Sequence, residues 1–170
     1  MEEFRLSRKE EEAIQQLLKA AYSVYPERTY FRQLPDFRYL VWEGEELLAQ
    51  MSVAYRLVNN GGQLLRVFGI ADLCVAPEHQ HRQLGSQLLE RLDALGRESA
   101  CDFILLMASE PAFYRRHGFE PVSNTCRWLL LHREETLGIA QRSIDQALMV
   151  KPLGDKRWRE GLVDLMGPMI

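Results

Sequence analysis

Apolar positions near the start of the chain recur at three- and four-residue intervals and put Ala13, Ile14, Leu17, Leu18 and Ala21 on one face of a helix. Ser7 followed by Glu10 has capping-box spacing, so the helix begins there, and it stops before Pro26. Residues 4–6, just ahead of it, read as a first edge strand. The period then changes. Residues 38–42 and 47–58 are runs of β-formers parted by Glu43-Gly44-Glu45, which predicts a hairpin. Asn59-Asn60-Gly61-Gly62 accepts positive φ and predicts a second hairpin, leading into a strand over 63–75. Leu84, Leu88, Leu89, Leu92 and Leu95 return to helical spacing, and residues 102–108 form a continuous apolar strand of the kind buried on both faces. A strand of that type lies parallel to the strand before the helix, which makes a βαβ unit.

Beyond it, Pro111 opens a short helix that Gly118 closes, and residues 127–132 and 147–151 are two further strands. The roughly fourteen residues joining those strands read as a functional loop or as a connection with a small helix of its own. The tail from Lys156 is apolar enough to dock. Residues 25–37 mix aromatics and arginines between two prolines and read as irregular, either a plain connector or a substrate-facing loop. The expected fold class is α/β (α+β): a mixed, mostly antiparallel sheet with a central parallel βαβ unit and flanking helices, in a single domain over 1–170.

Composition narrows the function classes. The chain has 170 residues, 46% hydrophobic and 26% charged, which is ordinary for a globular protein. A net charge of −3 supplies no basic footprint, so nucleic acid is not an expected partner. Three cysteines, Cys74, Cys101 and Cys126, form no C-x-x-C pair and fit free thiols in a reducing, cytoplasmic setting. Residues 1–12 are too charged for a secretory leader, and no apolar run approaches the roughly 18 residues that cross a bilayer, so no membrane is expected either.

The chemistry concentrates where the strand ending at Val75 meets the leucine-rich helix through P77-E-H-Q-H-R-Q-L-G85. The first turn of a helix has unpartnered N–H groups and positive partial charge, so this turn is a potential anion seat. It is neither a Walker loop nor a dinucleotide fingerprint. A second element, F113-Y-R-R-H-G-F119, follows the next buried strand.

Together, V75-A-P-E-H-Q-H-R-Q-L-G-S-Q-L-L89 and F113-Y-R-R-H-G-F-E-P-V122 resemble the acyl-CoA-binding core of the GNAT superfamily of N-acetyltransferases, over about a third of the chain. The family turn is Gln or Arg, two residues, Gly, one residue, then Gly or Ala. Gln80 and Gly85 match its ends, while Gln83 stands where the first Gly is usual, and a side chain there requires negative φ. The resemblance implies acetyl-CoA as acyl donor, its pyrophosphate on the backbone N–H groups of His81, Arg82, Gln83, Leu84, Gly85 and Ser86, and its pantetheine arm along Leu73, Cys74 and Val75. It implies that coenzyme A sits where the two parallel strands splay apart. Direct attack by the primary amine of a small molecule would use the Cys74 or Val75 N–H for the oxyanion and Tyr114 as general acid towards the departing thiolate.

Asp72, in an otherwise apolar strand, is the candidate base, with an ion pair or turn contact as the structural alternative. Tyr114 is alternatively a half-buried aromatic with a satisfied hydroxyl. Arg82 either contacts a phosphate or is a solvated loop arginine. No metal is expected, since His79 and His81 have no third ligand at useful spacing. Cys74 reads as a buried thiol rather than a nucleophile. Glu27, Asp36, Glu134 and Glu135 are either surface charges or attractors for a cationic acceptor. Two rivals stay open: an N-acyltransferase using a longer acyl-CoA, and a non-catalytic acyl-CoA-binding regulatory domain. A monomer or homodimer is expected.

Overall fold

A computed structural model describes residues 1–108, 110–132 and 135–170. In chain order its elements are α1 (Arg8–Ala21), β1 (Phe37–Glu43), β2 (Glu46–Asn60), β3 (Gln63–Val75), α2 (Leu84–Glu98), β4 (Phe103–Met107), α3 (Pro111–Arg115), β5 (Glu120–His132), β6 (Glu135–Pro152) and β7 (Leu162–Pro168). Hydrogen-bonded strand neighbours run β1-β2-β3-β4-β6-β5-β7, with a further pairing of β2 and β7. Parallel and antiparallel pairs are mixed, as the sequence implies. The chain divides into two compact units, Met1–Ala54 with Ala71–Leu92, and Tyr55–Ile70 with Asp93–Ile170. Among the described residues no helix is long and apolar enough to cross a membrane.

In the first unit the capping box forms as expected. Ser7 N donates to Glu10 Oε2 at 2.8 Å and Glu10 N to Ser7 Oγ at 3.4 Å, starting α1. Its buried stripe, Ile14, Leu17 and Leu18, packs in a cluster with Leu47, Cys74 and Ala76, flanked by Leu40 and Trp42. β1 and β2 pair antiparallel from Phe37↔Val53 to Glu43↔Glu46 around the predicted turn. The expected edge strand over 4–6 is not there. Residues Glu3–Arg5 form a 3-10 turn, and the pairing falls earlier, where Met1 and Arg38 exchange two backbone bonds of 2.8 Å. A few residues bonded to one neighbour satisfy the backbone there, and the chain must then turn into α1. Residues 22–36 are irregular, with no helical turn.

In the second unit β3 and β4 pair in parallel from Val67↔Phe103 to Ile70↔Leu106, the relation the continuous apolar run predicts. β4 then pairs antiparallel with β6, and β6 with β5. Three expectations change here. The loop or small helix proposed between two short strands is instead most of β6, which starts at Glu135 and matches β5 from His132 back to Glu120. β5 likewise begins seven residues before the expected Arg127 (127 − 120 = 7). Both extensions are pairings of backbone with backbone, which need no apolar side chains. The tail becomes β7, parallel to β5 from Thr125↔Leu162, with Val163 and Leu165 buried in the main cluster beside Val67, Phe103, Leu105 and Val150. Asn60 and Asn124, both buried, fasten the approach to β7: their Nδ2 atoms donate to Arg159 O at 2.8 and 3.1 Å, and Asn124 also to Gly161 O at 2.9 Å.

Candidate active site

β3 ends where Pro77 removes the donor a further ladder bond would need; the last bond before it runs from Ala76 N to Leu48 O at 2.8 Å. A 3-10 turn, Pro77–His79, follows, and then the backbone alternates in hand. Gln80 has φ −62, whereas His81 and Gln83 are left-handed at φ 64 and 62, and α2 begins at Leu84. Residues of alternating hand turn successive N–H groups into one concavity, an anion nest, and the start of α2 adds the positive end of its dipole. The bond from Gln87 N to Gln83 O at 3.0 Å closes the first helical turn.

Gln83 therefore does not keep negative φ, the condition the sequence reading set for a side chain there. It takes the glycine-like conformation with its Cβ in place, at a cost of roughly 1–2 kcal/mol. Its side chain is exposed, so nothing packs against the strained geometry. The loop is held from outside: Arg82 Nη2 lies 2.9 Å from Glu43 Oε1, and Arg82 Nη1 2.7 Å from His79 Nδ1. Arginine can only donate, so Nδ1 accepts and Nε2 carries the proton that faces Glu46 Oε1 at 3.3 Å. Arg82 is thus tied to β1 through Glu43. Gln83→Gly relieves the strain but loosens the unfolded chain, so it raises stability by about 0.5–1 kcal/mol. A urea melt measures that gain, and calorimetry with acetyl-CoA is expected to give a Kd within about threefold of the parent, because the nest is already formed.

Asp72 is 7% exposed, and its partner is a phenol: Tyr25 donates its hydroxyl proton to Oδ2 at 2.9 Å. Burial pushes the carboxyl above its ordinary range, against the hydrogen bond from Tyr25 and the charges of Arg38 and Arg32. The Tyr25 phenol is pushed far up, by burial and by the Asp72 charge, so it stays a donor. Tyr22 bonds the same strand, its hydroxyl donating to Leu73 O at 3.1 Å, and its ring stacks on Tyr25 at 5.6 Å. Leu73 and Val75 are half-buried. Cys74 is buried, and burial first, then the nearby Asp72 charge, push its thiol up to about 12; it is no nucleophile near neutral pH.

Beneath Asp72 lies a network that sequence reasoning missed. Arg38 is fully buried. It clasps Glu3 through two bonds, Nε to Oε2 at 2.6 Å and Nη2 to Oε1 at 3.0 Å, and donates to Gln50 Oε1, Ser52 Oγ and Thr29 O. That fixes the Gln50 amide: Oε1 must face the arginine, so Nε2 points to Asp72 O, at 3.0 Å. The signal was available, since Gln50 and Ser52 alternate within an apolar run and Arg38 faces Ser52 in the register.

Tyr114 belongs to the second unit. It lies in α3, which opens at Pro111 and is followed by Gly118 at φ 81, whose N donates to Arg115 O at 3.1 Å. The Tyr114 ring meets Phe113 and Phe119 edge-on, at 5.1 and 5.7 Å. Of the carboxylates considered for the acceptor, Glu27 pairs with Lys19 at 3.1 Å, Glu135 starts β6, Asp36 O accepts from Glu3 N at 3.1 Å, and Glu134 lies outside the described residues. An open cleft of about 740 Å³ runs along α1 and residues 27–36, lined by Glu3, Glu11, Glu12, Glu27 and Asp36 with Arg8 and Arg28 among its other residues. Among the described residues no group of three His, Cys, Asp or Glu is placed to hold a metal.

The family model described as Acetyltransferase (GNAT) domain matches residues 4–122, and the chain belongs to that acetyltransferase family. Among solved structures, the ribosomal-protein-S18-alanine N-acetyltransferase of Escherichia coli is 16% identical, with 89% of this chain and 93% of that one covered at a TM-score of 0.61. A GNAT family N-acetyltransferase of the same organism, in complex with CoA, is 18% identical, covering 90% and 82% at 0.63. These two share the fold. A GCN5-related N-acetyltransferase from Kribbella flavida is 27% identical over 49% of this chain, but the match spans only 21% of that protein, at a TM-score of 0.47. The comparison with curated protein sequences finds no match.

Proposed function

We propose that the protein transfers the acetyl group of acetyl-CoA to a primary amine of a small molecule, by direct attack. The observation that carries this reading is the anion nest at residues 80–85, formed with left-handed His81 and Gln83 and running straight into α2. In this reading the N–H groups of His81, Arg82, Gln83, Leu84, Gly85 and Ser86 take the pyrophosphate, and Leu73, Cys74 and Val75 hold the pantetheine arm. The amine nitrogen attacks the thioester carbon and the carbon–sulfur bond breaks. Asp72 takes the proton the nitrogen gives up, and Tyr114 gives one to the departing thiolate, so the products are amide and free thiol. The backbone N–H of Cys74 or Val75 supports the oxyanion. This reading takes residues 1–170 as a single GNAT-like domain, and the three buried free cysteines suit a cytoplasmic setting.

Calorimetry with acetyl-CoA, followed by thiol-release assays across amines, tests the proposal. Micromolar binding with turnover on at least one amine is expected. Binding without turnover on any of them favours a regulatory acyl-CoA-binding role, and no binding overturns the reading.

A further inference from the structure

The reading of Asp72 as base leaves one neighbour without a role. Tyr25 comes from the irregular segment after α1, reaches the strand that carries Asp72, and gives its only proton to one carboxylate oxygen at 2.9 Å. Its ring contacts two others, stacked on Tyr22 at 5.6 Å and tilted against Phe31 at 5.8 Å. Tyr22 is in turn anchored on the adjacent Leu73 carbonyl. A half-buried phenol fixed by two rings brings its donor to the carboxylate already oriented, with little rotamer freedom to lose.

We propose that Tyr25 is the positioning residue of the acceptor site: its hydroxyl fixes Oδ2 of Asp72 and leaves Oδ1 as the oxygen that receives the amine proton. The proposal rests on Asp72 being the base. A carboxylate bonded through one oxygen presents the other in a set direction, and the same bond favours its charged form. The groups facing it are few. Tyr22 and Tyr25 come from the segment after α1, Arg32 from further along that segment, Arg38 from β1 with Glu3 clasped behind it, and Cys74 from the same strand. Of these, the two arginines and the Tyr25 bond hold the carboxyl down while burial raises it. Removing the Tyr25 hydroxyl takes away one lowering influence. The carboxyl then gains its proton at higher pH, and the base is lost from the acid side first.

The test compares Tyr25→Phe with the parent enzyme, reading kcat/KM against pH with one amine; the ionisation of that amine is common to both and cancels in the ratio. The acid limb is expected to move to higher pH in the variant, so the variant-to-parent ratio holds level at high pH and falls as the pH is lowered through the Asp72 titration. 3-Fluorotyrosine at position 25, a stronger donor of nearly the same shape, is expected to move the limb down. A ratio that is lowered equally at every pH, with no move on fluorination, makes Tyr25 a packing residue and overturns the proposal. Asp72→Asn separates the underlying reading: if that variant keeps both the rate and the acid limb, Asp72 is not the base, and the proposal falls for that reason.

Discussion

Tyr114→Phe is expected to lower kcat by about 10²-fold or more while leaving acetyl-CoA affinity close to the parent. The departing group in this reading is a thiolate, and a phenol placed beside it can meet it with a proton as the carbon–sulfur bond opens. A placed acid contributes on the order of 10²–10⁴ to such a step. Phenylalanine removes only the oxygen. The edge-on contacts of the ring with Phe113 and Phe119 persist, and so does the backbone of α3, whose Tyr114 carbonyl accepts from His117 N at 2.9 Å and Phe119 N at 3.2 Å. A fall in kcat at saturating acetyl-CoA with an unchanged Kd is therefore attributable to the hydroxyl. If kcat stays within about threefold of the parent, Tyr114 is an aromatic spacer and the thiolate leaves without it.

The elements legible in the sequence were those whose side chains carry a period. α1 announced itself through the Ser7 and Glu10 box and the Ile14, Leu17 and Leu18 stripe, α2 through its leucines, and β4 through five consecutive apolar residues. β6 did not, because Leu137 and Ile139 are exposed and the residues around them are polar; its order comes from bonds to β5. β7 offered a weak signal in Val163 and Leu165, buried on alternate positions around Asp164, but a docked apolar tail fits the same letters. At the site, the turn after β3 was legible as an anion seat from its place between strand and helix. The left-handed Gln83 was not, since residue type argues against that conformation and only the geometry of the loop imposes it. Asp72 stood out as a lone carboxyl in an apolar strand. Tyr25, 47 residues away in sequence, could not be assigned to it without the fold.

Arg38→Met is expected to destabilise the protein by about 3–5 kcal/mol, a large part of the 5–15 kcal/mol typical of a folded domain. Methionine follows the aliphatic stem of the arginine and leaves little void, so the loss is electrostatic. The Glu3 carboxylate, 11% exposed, would lose both bonds that compensate its burial, and Gln50 Oε1 and Thr29 O would each lose a donor. The urea midpoint should fall while the slope of the transition holds. Adding Glu3→Gln removes the stranded charge, so the double variant should recover a good part of the deficit; a double variant worse than the single one would mean that Glu3 stabilises the unit by other contacts. The same change reaches the chemistry. Gln50 points its Nε2 at the Asp72 carbonyl only because Arg38 holds its other end, and Thr29 ties the irregular segment 22–36 to that same guanidinium. Measured where the variant is still fully folded, its kcat/KM should therefore fall several-fold, and an unchanged value would show that Asp72 is placed without the Arg38 network.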